Sequence, residues 1–322
     1  MAAKFLHRYK NFKSLIEIVA EELEINEPSL VEKDYWLTHV LFGLQQIGLK
    51  FELKGGASLS KGHKIIHRFS EDIDIRIDPD EKLVDFKVYT GKNHDKDSHR
   101  QSRKNYYDWL AKFLSKKIDG IEAVERDEKF DDPEKMRNGG IRLKYETSFP
   151  IAEGIKEGVL LEVGFDRVTP NRPVDISSWI YDKALQSDVE PPIDSCALRV
   201  HCYDPQFTFV EKLQAVVRKY RIFKNDGKLP DNFIRHYYDI YQLLDVQEVR
   251  SFIGTEEYNT HKAERFKGDD PKVSNSEAFR LSSPNERALF EKEYLKTKAL
   301  YYKGQPPFKS ILNRIERYLE NL

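Results

Sequence analysis

The run Asp72-Ile73-Asp74-Ile75-Arg76-Ile77 alternates strictly between polar residues and isoleucine. Only a β-strand sends successive side chains to opposite faces, so this run predicts a strand with its isoleucine face in a core. The same geometry puts Asp72 and Asp74 together on the other face, about 6.5 Å apart along the strand. Two carboxylates on one face repel, and burying either one without a partner is costly. A metal ion resolves both difficulties. Mg²⁺ suits the pair, because it takes a few carboxylates, keeps waters and completes its shell with substrate phosphates. Two such ions about 3.5–4 Å apart can clamp both attacking and leaving oxygens in phosphoryl transfer. The bland alternative is a solvated strand face whose aspartates pair with Arg68 or Arg76.

The residues upstream bear on that choice. FELK (51–54) is short and strand-like, Gly55-Gly56 breaks it, and ASLSKGHKIIH (57–67) reads as a helix weakened at Gly62. A glycine pair before a helix start presents backbone N–H groups to an anion. Ser58 and Ser60 add hydroxyls and Lys61 a positive charge, which together make a triphosphate cradle. A tight strand-to-helix turn with a serine cap is the ordinary reading of the same residues. The order is the informative part: Gly-Gly, Ser, one helix, then Asp-x-Asp on the next strand.

With 322 residues the chain can form one large domain or two ordinary ones. Its 53 basic and 54 acidic residues leave a net charge of −1, so bulk charge does not call for nucleic acid. KNHDKDSHRQSRK (92–104) and the cluster Arg218, Lys219, Arg221 could still meet phosphates; a solvated loop reads the first equally well, and a solvated helix end is the ordinary reading of the second. Cys196 and Cys202 fit no common zinc spacing and read as free thiols. His63 and His67 lack the glutamate of a zincin motif. Tyr237 and Tyr238 could stack on a base or serve the core. The N-terminal stretch reads as an amphipathic helix over 11–23 rather than a signal peptide, and no run approaches a membrane span, so the expected location is cytoplasmic with no membrane partner.

Periodicity outlines the remainder. A second helix follows a cap at Asn26 or Ser29, 78–104 is mostly loop, and a third helix covers 106–118. Strands 139–149 and 158–168 pair as an antiparallel hairpin turning at Glu153-Gly154. Pro170, Pro173, Pro191 and Pro192 mark irregular connections. Asp204-Pro205 opens a helix over 207–223, and others cover 234–244, 284–301 and 308–320, with a surface loop at 260–278. The expected class is α+β: a small mixed sheet flanked by helices in residues 1–200 and a helical C-terminal part in 201–322.

GGASLSK…RFSEDIDIRI resembles the signature of the polymerase-β-type nucleotidyltransferases. It is closer still to the AbiEii/AbiGii branch, the toxins of bacterial toxin–antitoxin and abortive-infection systems. VEKDYWLTHVL (31–41) is similar to that branch's Glu-Lys-Asp-Tyr helix, FVEKLQAVVRKY (209–220) to its lysine motif, and RHYYDIYQLL (235–244) to its final Arg-x-x-x-Asp motif. The likeness spans residues 30–245, and several motifs in order are more specific than any one. It implies a polymerase-β-type nucleotidyltransferase fold and an NTP-binding enzyme. It implies that Gly55, Gly56, Ser58 and Lys61 hold nucleotide phosphates and that Asp72 and Asp74 bind Mg²⁺. Glu162, where many relatives have Asp, would be the third carboxylate near the attacking hydroxyl, with Asp166 in reserve. Lys212 would touch the triphosphate and Asp239 orient or neutralise that lysine. For the pair Arg235–Asp239 a plain i,i+4 contact is the ordinary alternative, and for Lys212 a solvated helix face shared with Lys219. The implied reaction moves a nucleotide from an NTP to RNA, with tRNA 3′ ends the leading acceptor, and the implied partner is a cognate antitoxin. Two competitors stay open: a glycosyltransferase using Asp-x-Asp for a nucleotide sugar, and a relative that binds nucleotide or RNA without turnover.

Overall fold

A computed structural model describes residues 3–91, 96–152, 154–186 and 193–322. The expected turn residue Glu153, Pro191-Pro192 and the start of the basic stretch at 92–95 lie outside the described residues. Two compact units emerge, Met1–Gly62 with Phe69–Cys202, and His63–Arg68 with Tyr203–Leu322.

The first unit holds a mixed sheet. Its strands are β1 (Lys50–Lys54), β2 (Asp72–Asp78), β3 (Ile121–Arg126), β4 (Asn138–Tyr145), β5 (Val159–Gly164), β6 (Asn171–Ile176) and β7 (Ala197–Tyr203), in the order β3-β4-β5-β2-β1-β7-β6. β4 and β5 are antiparallel, as their spacing predicts, and β5 lies parallel to β2. β1 runs antiparallel to β2 and parallel to β7. Ile73, Ile75 and Ile77 are fully buried on one face of β2, and Leu161 and Val163 do the same on β5. Pro173 sits in β6, which lies at the sheet edge, the place in a sheet where a proline is tolerated.

Helices α1 (Phe12–Glu22), α2 (Pro28–Gln46), α3 (Gly55–Ala57), α4 (Asp97–Leu114) and α5 (Trp179–Ala184) complete this unit. Pro28 opens α2 at the position where its missing N–H is harmless, so neither Asn26 nor Ser29 caps it. α2 is buried all round from Ser29 to Leu41, and Trp36 stacks on Tyr145 of β4 at 4.6 Å. α4 begins well before the expected 106, so 97–104 is helix rather than loop. Arg103 is the reason: wholly buried, it donates from Nε to the Lys135 and Met136 carbonyls at 3.1 Å.

The second unit is helical: α6 (Pro205–Asp226), α7 (Arg235–Leu243), α8 (Gln247–Phe252), α9 (Glu256–Arg265), α10 (Glu277–Arg280), α11 (Pro284–Leu295) and α12 (Phe308–Tyr318). Gly227 ends α6 in the left-handed conformation that suits a glycine cap. Tyr237 lies at the centre of a ring cluster with Phe233, Phe290 and Phe308, so it serves the core. Residues 260–265 belong to α9, not to a surface loop, and Phe266, Val273 and Ala278 beyond them are buried. Thr255 caps α9 by accepting the Tyr258 N–H, a start signal that the charged composition obscures. No helix among the described residues is long and apolar enough to cross a membrane.

Candidate functional site

Strand register assembles the acidic face of the first unit. Asp74 is the Cα partner of Glu162 on β5 and of Lys54 on β1, and Asp72 stands two residues before Asp74. Paired residues share a face, so Asp72, Asp74 and Glu162 project together while the intervening residues fill the core. Burial pushes the Glu162 carboxyl up to about 8, and the charges of Asp74 and Asp72 push it the same way. Asp166, the reserve candidate, lies beyond the end of β5, where its carbonyl accepts from Arg76 Nε. Arg76 is shared by Glu52 and Asp78, and Arg68 is held by Asp239.

Gly55 follows β1 directly. Its φ is +68°, a left-handed conformation that strains any residue with a Cβ, and a Cβ there would collide with the Asp74 carboxylate. The glycine therefore lets the backbone close on that carboxylate. The helical segment it opens is shorter than expected: α3 passes into a π-turn over Ser58–Gly62, and the chain leaves the helix there. Gly62 ends it in contact with β7, where a Cβ would sit 2.7 Å from Cys202 Sγ. Lys64 then takes a φ of 55°, so His63 and His67 do not share a helix face. Gly56 and Ser58 are buried, and Lys61 Nζ donates to Asp34 Oδ1 at 2.6 Å.

Sequence reasoning gave the three charged residues of Glu32-Lys33-Asp34 no role. All are buried in α2, and each reaches a different segment. Glu32 accepts the Ser148 N–H at 2.8 Å. Lys33 donates to the Lys156 carbonyl at 2.6 Å and pairs with Glu71, the neighbour of Asp72, at 3.4 Å. Burial holds the Lys33 ammonium below its usual range, against the opposing pull of Glu71 and Asp72. The available signals were the likeness of Glu-Lys-Asp-Tyr to the family's motif and three adjacent charges beside a largely apolar run.

The second unit contains its own charged cluster. Lys212 Nζ lies 2.9 Å from Asp239 Oδ2, and Lys212 is buried rather than on a solvated face with Lys219. Arg68 grips the same carboxylate with two prongs, at 2.6 and 2.7 Å. Burial alone would raise the Asp239 pKa; Arg68 and Lys212 outweigh it and hold the carboxyl well below the usual range. His236 lies 3.4 Å from Lys212 Nζ, and burial with the Lys212 charge keeps its imidazole neutral.

The chemistry of the acidic face fits Mg²⁺. Among the described residues no three His, Cys, Asp or Glu side chains close into a ready-made metal cage. Mg²⁺ does not ask for one, since it is bound through one or two carboxylates, waters and substrate phosphates. A cation there would offset the like charges that crowd Glu162.

Comparison with solved structures finds an antigenic nucleotidyltransferase-like protein from Paracoccidioides brasiliensis, at 15% identity and a TM-score of 0.36 over 76% of this chain and 91% of that one. No curated protein matches the chain. The family model described as nucleotidyl transferase AbiEii toxin, type IV TA system, matches residues 39–321. The chain belongs to the AbiEii family of nucleotidyltransferase toxins of type IV toxin–antitoxin systems.

Proposed function

We propose that this protein is a Mg²⁺-dependent enzyme that moves a nucleotide from an NTP to RNA, with the 3′ end of tRNA as acceptor, and that a cognate antitoxin neutralises it. The observation that carries the reading is the register of β2 and β5, which sets Glu162 beside Asp74 with Asp72 on the same face and Gly55 closed against Asp74. Asp72 and Asp74 would hold Mg²⁺, which supplies neutralising charge to the phosphates. Glu162, set beside Asp74 by the strand register, is the proposed general base, and a cation held by Asp72 and Asp74 would offset the charges that favour its protonated form. Glu162 would take the proton of the attacking hydroxyl as the new O–P bond forms at the α-phosphate. The bond from the α-phosphorus to the bridging oxygen then breaks and pyrophosphate leaves. Gly55, Gly56, Ser58 and Lys61 are the proposed phosphate contacts. Lys212 is proposed to meet the charge on the leaving group, with Asp239 orienting it.

A transfer assay tests the reading. Purified protein is incubated with Mg²⁺, total bacterial RNA and each α-labelled NTP in turn, beside an Asp72→Ala/Asp74→Ala variant. Label in RNA from the wild type alone, lost on chelation, is the expected result and names the nucleotide. Label in no RNA with any NTP rejects RNA as acceptor. Labelling of cell protein instead would move the reading to a protein acceptor.

A further inference from the structure

We infer that Asp34 is a positioning residue for the nucleotide, acting by fixing the ammonium of Lys61. The inference rests on the nucleotidyltransferase reading above and adds to it a residue from outside the Gly-Gly and Asp-x-Asp motifs.

Three successive buried charges make α2 an expensive helix. Each ion loses several kcal/mol of solvation, and apolar residues of similar size are often neutral or more stabilising in such a place. Stability alone therefore does not account for Glu32, Lys33 and Asp34. Their partners do: Glu71 precedes Asp72, and Lys61 lies in the segment that Gly55 opens.

Asp34 is fully buried and has both oxygens engaged. Oδ2 accepts the Trp179 N–H at 2.9 Å, which fixes the carboxylate, and Oδ1 accepts from Lys61 Nζ at 2.6 Å. The Trp179 ring lies 5.6 Å from the same ammonium. A lysine side chain is otherwise a flexible four-carbon stem carrying a point charge. Here it is held from two sides, while its side chain remains 11% exposed and Asp34 none. An ammonium has three N–H donors, so the bond to Asp34 leaves others for phosphate oxygens. Asp34 thus trades some net positive charge for a fixed direction.

The test is a double-mutant cycle on nucleotide affinity. Full-length wild type, Asp34→Asn, Lys61→Met and the double variant are titrated calorimetrically with the α,β-methylene analogue of each NTP in Mg²⁺. If Asp34 acts through Lys61, Asp34→Asn weakens binding about tenfold in the wild-type background and not at all when Lys61 is already Met. A general structural role would weaken binding in both backgrounds. Equal losses in the two backgrounds, no loss, or tighter binding by Asp34→Asn each overturn the inference. Should Asp34→Asn fail to fold alone, Lys61→Met against the double variant, which removes both charges, decides it: equal affinities are required and unequal ones reject it. Wild type that binds no analogue overturns the nucleotidyltransferase reading, and this inference falls with it.

Discussion

Arg68 and Asp239, 171 residues apart, form a two-pronged ion pair in the interior of the second unit. Removing the guanidinium leaves a buried carboxylate with Lys212 as its remaining cation in this pair network. Arg68→Ala is expected to destabilise that unit by about 3–5 kcal/mol, as breaking buried ion pairs does. Arg68→Lys should recover only part of this, because an ammonium cannot reproduce the fork. Thermal unfolding of both variants checks the order; an unchanged midpoint for Arg68→Ala would reject the pair as a structural element.

Gly55→Ala should be far worse than its backbone conformation alone implies. Gly254 provides the control, with a φ of +82° and open space where a Cβ would be. Gly254→Ala should cost about 1–2 kcal/mol of left-handed strain and leave nucleotide transfer intact. Gly55→Ala carries the same strain and also displaces the Asp74 carboxylate, so transfer should fall at least about a hundredfold, the scale of a misplaced catalytic group. Equal transfer rates in the two variants would separate Gly55 from the site.

Asp72→Asn and Asp74→Asn should uncouple activity from stability. Either change removes like charge beside Glu162, while Asp72→Asn also removes a counter-charge from buried Lys33, so the melting temperature should hold or rise for Asp74→Asn and gain less for Asp72→Asn. Transfer should drop by about 10²–10³-fold if these carboxylates act at the developing charge. A variant that melts lower and transfers normally would show that the pair is structural.

Acid should loosen the first unit through His39. Burial, then the His7 charge, lowers its pKa to about 4 from an ordinary 6.5, while Asp119 pulls the other way and Arg8 adds to the lowering. Its Nε2 donates to the Asp119 carbonyl at 2.9 Å. The folded state thus favours the neutral ring. That contribution is fully present above the unfolded value of 6.5 and is lost as pH falls through about 4. Its size is about 3 kcal/mol from the usual conversion of pKa shifts. His39→Gln keeps a donor and cannot titrate, so its melting temperature should fall less than the wild type's between pH 6.5 and 4. Parallel curves would assign the acid loss elsewhere.

What the sequence made legible was what its local periods encode. β2 follows from alternation, the β4–β5 hairpin from two apolar runs, and α6 from Asp204-Pro205 ahead of a helical stripe. Glu162 was named only through the family resemblance, and it is the register of β2 and β5 that sets it beside Asp74. Gly62 was legible as a weak point of the helix after Gly55-Gly56 but not as its end, because that depends on Cys202, which packs against Gly62 from another strand. The N-terminal turns of α4 were hidden because a polar run looks the same as loop or as helix, and it is Arg103's distant carbonyl partners that fix it. β6 carries a proline that argues against a strand except at an edge, and only the sheet order shows that it lies at one. Asp34–Lys61 and Arg68–Asp239 follow no local spacing rule, since each joins segments that meet only in the folded chain.

Residues 63–68 give the second unit a history as well as a structure. They leave with the first part of the chain, yet they belong with Tyr203–Leu322. There Ile66 accepts from Tyr302 through its carbonyl, His67 donates its backbone N–H to Tyr238, and Arg68 waits for Asp239. At a translation rate of about 5–20 residues per second, the 171 residues between Arg68 and its acceptor take roughly ten to thirty seconds to synthesise. During that interval β2 can already be pairing on one side of Arg68 while Asp239, the carboxylate that receives its guanidinium in the folded chain, is not yet made. No single cut separates the two units, and a fragment starting at Tyr203 would carry Asp239 without the arginine that accounts for its burial.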